Sequence, residues 1–240
     1  MAETQRRQVD LLGESVRYDV RRSDGAAEPR IDVDIHGVTV VIPKFDQTSP
    51  EDLLRENAVW VVESKQKYDA YREEIPERNY EEGETFPYLG SEYEVTIERR
   101  PSSCVDEGMF RLARHHVEKT SVKRALETLY RRKARERFEE RANYFAEEMG
   151  VEYDKIEVRN QRTKWGSCST TGTLGLNWRL MMAPPEVINY VIIHELVHLL
   201  EQNHGQEFWN HVREYCPDYQ EHIQWLEKNS TKLTFSHEDI

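Results

Sequence analysis

The sequence is short of cysteine, of lysine and of long apolar runs. Its three cysteines, Cys104, Cys168 and Cys216, form no C-x-x-C pair. An odd number without paired spacing argues against a disulfide framework and for a reducing compartment. The longest oily run, Val187 to Leu200, is interrupted by Asn189, His194, Glu195 and His198. It is too short and too polar to cross a bilayer, which takes about 20 consecutive apolar residues. The opening MAETQRRQVDLLGES holds no apolar stretch of signal-peptide length. The expectation is a soluble, cytoplasmic protein that touches no membrane.

Arginine outnumbers lysine 23 to 10, and acids outnumber bases 45 to 33, for a net charge of −12. Such a surface repels bulk nucleic acid unless basic residues gather locally. They gather once: residues 118–141 carry nine Lys/Arg against five Glu. That segment reads either as a solvated helix face laced with ion pairs or as a nucleic-acid-facing patch. With 240 residues and 38% hydrophobic content, the chain can bury one large core or two small ones.

Residues 1–13 read as a flexible leader and 231–240 as a flexible tail. Between them, Val16, Tyr18 and Val20, then Ile31, Val33 and Ile35, then Val38 to Ile42, alternate as a small antiparallel meander, with His36 in a turn. Ser49-Pro50-Glu51-Asp52 opens a helix running to about Arg72. Tyr88–Leu89 and Tyr93–Ile97 form a hairpin through Gly90, and Met109–Arg114 a further strand. These make residues 14–115 a β-rich region with one helix. Ser121 to Met149 is helical, with Leu126, Leu129, Phe138, Tyr144 and Phe145 for its buried stripe and Gly150 as its stop. Ile156–Arg159 is a strand. A hairpin turning at Thr170-Thr171-Gly172 follows, with Leu174, Leu176, Trp178 and Leu180 on one buried face. Ala183-Pro184-Pro185-Glu186 then starts the helix that holds the interrupted oily run. No repeat is evident along the chain.

Why that oily run carries two imidazoles and a carboxylate is answered by helical geometry. His194 and His198 are four residues apart, hence one turn apart on the same face. Both can reach one ion. Glu195 lies about 100° around the axis, where it can hold a water on that ion without binding the ion itself. This is the H-E-x-x-H arrangement of zinc hydrolases, with the Glu as general base. Without a cation, the buried carboxylate beside Val191, Ile192 and Val197 would be costly.

A catalytic zinc takes a third protein ligand and keeps one position open. His204 is the leading candidate, carried back toward the ion if Asn203 caps a second helix with Gln206 at its third position. Glu201, one turn past His198, is the rival. Cys168 as a fourth ligand would close the site; its other reading is a small buried side chain. The spacing to His204 also matches metzincins, but those place Gly where this chain has Glu201, and no Met-turn follows. Arg179, Asn177 and Tyr190 are candidates for a helper donor at the oxyanion. The strand Thr173–Leu180, with Gly175 permitting close approach, could pair with an extended substrate or be plain core sheet.

Three stretches, RNQRTKWGSC, GLNWRLMMAPPEVINYVIIHELVHLLEQNHGQEFW and YCPDYQEHIQWL, resemble the YgjP-like predicted metal-dependent hydrolases, distant relatives of SprT and Spartan-type proteases. GETFPYLGSEYEV and the long helix extend the likeness. The resemblance implies an α+β fold with a zincin-like metallopeptidase core over 118–230. Its parts would be a long helix, a short antiparallel sheet, a metal-binding helix and a C-terminal helix, preceded by the small β-rich part. It implies Zn2+ on His194, His198 and His204, Glu195 as the catalytic residue, and protein or peptide substrates. It leaves open a hydrolase of a non-peptide bond and a zinc-stabilised, non-catalytic module associated with DNA.

Overall fold

The computed structural model describes residues 5–34, 37–73, 75–161 and 164–236; Ile35 and His36, placed above in a strand and a turn, lie outside them. The chain divides into two units at Ile75/Pro76. The division does not fall near residue 115. The reason is packing: Phe86, Val95, Phe110 and Leu112 share a core with the long helix instead of with the N-terminal strands.

The first unit is a four-stranded sheet with two helices. Its strands are β1 (Gln5–Leu11), β2 (Glu14–Ser23), β3 (Arg30–Asp34) and β4 (Gly37–Pro43), in the order β1-β2-β4-β3. The expected leader therefore supplies an edge strand. Val9 and Leu11 are buried, and β1 pairs antiparallel with β2 from Gln5↔Val20 to Leu11↔Glu14. Nor is the sheet a simple meander, since β2 and β4 run parallel with β3 outside them. Helix α1 (Pro50–Glu56) starts as its sequence demands, with Ser49 accepting from the Asp52 amide and Pro50 in the first turn. Asn57 separates it from α2 (Ala58–Glu73).

The second unit begins with β5 (Thr85–Tyr88), β6 (Ser91–Glu98), β7 (Cys104–Asp106) and β8 (Met109–Ala113), ordered β5-β6-β8-β7. The pairing senses are those of the first unit: antiparallel, parallel, antiparallel. Each first hairpin turns on Leu-Gly with both residues at positive φ, Leu12 (53°) and Gly13 (86°), then Leu89 (50°) and Gly90 (81°). This is the backbone twist that two-residue hairpin turns need. A repeat absent from the sequence is thus present in the topology. The second copy is followed by α3 (Arg114–Lys119) and α4 (Val122–Met149).

Helix α4 spans the second core. Leu126, Leu129, Tyr130, Ala134, Phe138, Ala142, Phe145 and Met149 recur at helical spacing and are buried, and Gly150 ends the helix in the left-handed conformation at φ 66°. Tyr144, expected in the stripe, is 48% exposed; it is one position off the buried face, and Arg141 lies over its ring. Five of the basic residues are engaged locally. Arg124 and Arg131 meet Glu127, Lys133 meets Glu136, Arg135 meets Glu139 and Arg137 meets Glu140.

Beyond α4 lie β9 (Lys155–Arg159), β10 (Gly166–Cys168) and β11 (Thr173–Asn177), then a 3-10 helix (Trp178–Met182), α5 (Pro185–Val197), α6 (Gln206–Tyr215) and α7 (Tyr219–Asn229). The three-stranded sheet is mixed and not purely antiparallel: β11 is central, antiparallel to β10 and parallel to β9. The strand stops at Asn177, whose side chain accepts from the Arg179 amide and caps the 3-10 helix. The expected one-sided alternation through Leu180 is therefore replaced by burial on both faces.

Residues after α7 are not a loose tail as far as Ser236. Leu233 and Phe235 are at most 2% exposed, and the Tyr80 hydroxyl donates to the Phe235 carbonyl. Phe235 packs against Tyr80, Phe86 and Trp178. Phe235→Ala is expected to cost about 3–5 kcal/mol in urea unfolding; a loss under about 1 kcal/mol would return this segment to the status of a tail.

Candidate metal centre

Helix α5 is apolar around its whole circumference because it is enclosed. Val187, Ile188, Val191, Ile192, Ile193, Leu196 and Val197 are all buried. Asn189 Oδ1 accepts from Arg141 Nε at 2.9 Å, which ties α5 to α4. His194, Glu195 and His198 face the site.

The helix ends at Val197, with His198 as its cap residue, and tight bonds from Leu199, Leu200 and Glu201 back to Leu196 and Val197 turn the chain. The return path differs in detail from expectation. Asn203 does not cap α6; the Gly205 amide bonds to the Asn203 carbonyl and Gly205 itself precedes the helix. His204 therefore sits in the connecting loop, free of helical geometry, and swings back. Its Nε2 lies 3.1 Å from His194 Nε2.

One ligand atom from each of His194, His198 and His204 falls within 4.8 Å of the others, and among the described residues this is the group that could hold a metal ion. Neither Glu201 nor Cys168 joins it. Glu201 instead offers its backbone carbonyl, 3.2 Å from His198 Nδ1. That contact places the His198 proton on Nδ1 and leaves Nε2 as a lone pair. Cys168 Sγ lies 3.4 Å from the Ser169 carbonyl, and burial pushes its thiol up to about 11, the state of a packed thiol and not a ligand thiolate.

Phe208, wholly buried on α6, backs all three imidazoles, with centroid distances of 4.9, 4.7 and 4.6 Å to His194, His198 and His204. Burial first, then the neighbouring His198 and His204, drives His194 down to about 3, so its ring is neutral. His198 is shifted down as well, chiefly by burial. The neutral His194 ring, with its Nε2 3.1 Å from His204 Nε2 and its Nδ1 buried without a hydrogen-bond partner, is poorly satisfied on its own. The donor set fits a divalent cation.

Glu195 is 5% exposed and stands outside the imidazole group. Burial pushes its carboxyl up to about 7, against the pull of the Lys164 ammonium. Strand β10 passes directly over it. A Cβ built on Gly166 would lie 2.7 Å from both Cγ and Cδ of Glu195, so only glycine fits.

A model of the YgjP-like metallopeptidase domain matches residues 27–229. The chain belongs to the YgjP-like metallopeptidase family. Two solved structures are also similar. The metallopeptidase zymogen abylysin of Pyrococcus abyssi is 22% identical over 39% of this chain and 95% of its own, with a TM-score of 0.36. The metallopeptidase zymogen jannalysin of Methanocaldococcus jannaschii is 27% identical over 38% and 95%, with a TM-score of 0.33. No curated protein matches significantly.

In this YgjP-like chain the helper-donor candidates separate. Asn177 Nδ2 donates to the Gln161 and Lys164 carbonyls at 2.7 and 3.2 Å, and Arg179 Nη1 to the Gln161 carbonyl at 3.3 Å. Both shape the loop before β10. Tyr190, one turn before His194 and edge-on to its ring, is 6% exposed, and burial raises its phenol well above the ordinary range. Gly175 does not clear a path for substrate; the Arg159 guanidinium lies over it, where a Cβ would come within 2.7 Å of Nε. With β11 central, the edge beside α5 is β10. Sequence reasoning missed Gly166 and Phe208. A glycine inside a short strand was the available signal for the first.

Proposed function

We propose that the chain is a zinc-dependent peptidase with a zincin-like core, that His194, His198 and His204 hold the ion, and that Glu195 is its general base. The observation that carries this reading is the convergence of three imidazoles beside a buried carboxylate that is not among them. Three nitrogen donors with one position left open are the ligand set of catalytic zinc. When bound, the ion supplies Lewis acidity to a water and to the carbonyl under attack. Glu195 then takes the proton from the attacking water and passes it to the leaving amine. A carboxyl poised near neutrality can do both. The wall formed by Gly166 holds that carboxyl in one place, and Phe208 excludes water from behind the rings. An extended peptide can add to the β10 edge, which puts its carbonyl over α5.

The test is metal stoichiometry together with hydrolysis of a protein and peptide panel, before and after chelation and on zinc return. One zinc per chain and chelator-sensitive peptide cleavage are expected. Cleavage confined to small-molecule esters or amides would move the reading to a non-peptide hydrolase. Bound zinc with no hydrolysis would leave a structural module. The DNA-associated version of that module draws little support from residues 118–141, five of whose nine cations pair with glutamates along α4.

A further inference from the structure

The two copies of the strand order differ in charge at one equivalent place. In each copy the two middle strands run parallel, so the chain leaves both at the same end of the sheet. In the first copy β2 and β4 end in register at Ser23 and Pro43, and the next residues, Asp24 and Lys44, pair at 2.9 Å. In the second copy β6 and β8 end in register at Glu98 and Ala113, and the next residues are Arg99 and Arg114. Neighbouring strands lie about 4.8 Å apart, so the second copy gathers like charges where the first forms an ion pair. Nothing in the topology demands like charges there.

Arg99 and Arg114 line an open cleft of about 750 Å³ together with Arg100, Pro101, His115 and Glu118. That lining holds three guanidiniums and one carboxylate, in a chain whose net charge is −12. Two of the three are fixed in place. Arg100 donates to the Ser102 carbonyl at 2.8 Å and to Glu98 at 3.2 Å, and Arg114 Nη2 donates to the Ile97 carbonyl at 3.3 Å. A guanidinium has five N–H donors, so both keep donors for a ligand. Arg99 is exposed and has no hydrogen-bond or ion-pair partner among the described residues. A smaller hollow bordered by α3 adds Lys119 and Arg132 to the positive face. Like charges gathered in this way repel one another, and an anion relieves the repulsion.

We propose that this cleft docks an acidic segment of another protein, whose carboxylates pair with Arg99, Arg100 and Arg114. Arginine suits a carboxylate because its planar fork presents two parallel N–H groups to two oxygens. A short acidic tract ends where the cations end. A nucleic acid carries its charge without interruption and would run on over a molecule of net charge −12, which repels it. The cleft contains none of the three imidazoles, so docking stands apart from the chemistry proposed at the metal centre.

The test is titration of the full chain with a fluorescent Asp/Glu peptide, read by anisotropy, beside its Asn/Gln counterpart and a single-stranded DNA. The acidic peptide is expected to bind, and less tightly as salt rises; the neutral peptide is not. Arg99→Gln is expected to weaken binding about threefold, the worth of one exposed ion pair, without changing the melting temperature. Arg99→Lys keeps most of the binding, and Arg99→Glu combined with Arg114→Glu removes it. Arg124→Gln, on α4 and already paired with Glu127, leaves binding unchanged. If the double variant melts early because Arg114 has lost its hold on the Ile97 carbonyl, Arg99→Glu alone decides. No binding of the acidic peptide, equal binding of the neutral one, or binding that survives Arg99→Glu would each overturn the proposal. DNA bound more tightly than peptide through the same arginines would overturn it too, and make this a face for nucleic acid.

Discussion

Glu195→Gln is expected to keep its metal and to lose hydrolysis by about 10²–10⁴-fold, the usual worth of a positioned general base. The carboxylate stands outside the imidazole group, so the amide removes no ligand. It also has nearly the same shape, so the wall at Gly166 stays in contact with it. What changes is the ability to accept a proton. Burial pushes the Glu195 carboxyl up to about 7, where it can exchange a proton near neutral pH, and a glutamine cannot do this at any pH. Metal analysis and turnover on one preparation decide the matter. Full activity in the variant would remove Glu195 from the chemistry, and lost metal would make it a ligand.

The second large effect comes from a methyl group. Gly166→Ala puts a Cβ 2.7 Å from Cγ and Cδ of Glu195, well inside van der Waals contact. Either β10 moves off α5 or the carboxylate is displaced. Misplacing a reacting group by about 1 Å costs about 10²-fold, and that is the expected loss in kcat/KM with metal retained. Gly175→Ala is the comparison. There the added atom meets the end of the Arg159 side chain, on the neighbouring strand, and that flexible group can swing aside. A small effect at Gly175 beside a large one at Gly166 would tie the loss to Glu195. Equal effects would reduce both to sheet damage, which thermal melts of the two variants would show directly.

How far the site is legible in the sequence follows from distance along the chain. His194 and His198 share a helical turn, so their common face follows from spacing alone. His204 needs the turn after Val197, and there the cap differs from expectation: the loop bond from Gly205 to Asn203, not an Asn203 side chain, sets its position. Gly175 has the look of a clearance for substrate and serves the Arg159 guanidinium. Gly166, also a glycine inside a short strand, borders the carboxylate instead. The two glycines lie on neighbouring strands, and no local pattern says which strand is the edge.

Local order was encoded locally. Ser49 and Pro50 start a helix, Gly150 stops one, Leu12-Gly13 and Leu89-Gly90 turn hairpins, and four-residue spacing aligns two imidazoles. Each depends on backbone dihedrals and side chains within a few residues of one another. Contacts across the chain were decided by packing: β1 as an edge strand, Leu233 and Phe235 in the core, Phe208 behind the three rings, and the same strand order built twice from dissimilar residues. These depend on which surfaces meet. Burial rewards any side chain of suitable volume, so partners distant in sequence need no shared pattern, and only the folded chain brings them together.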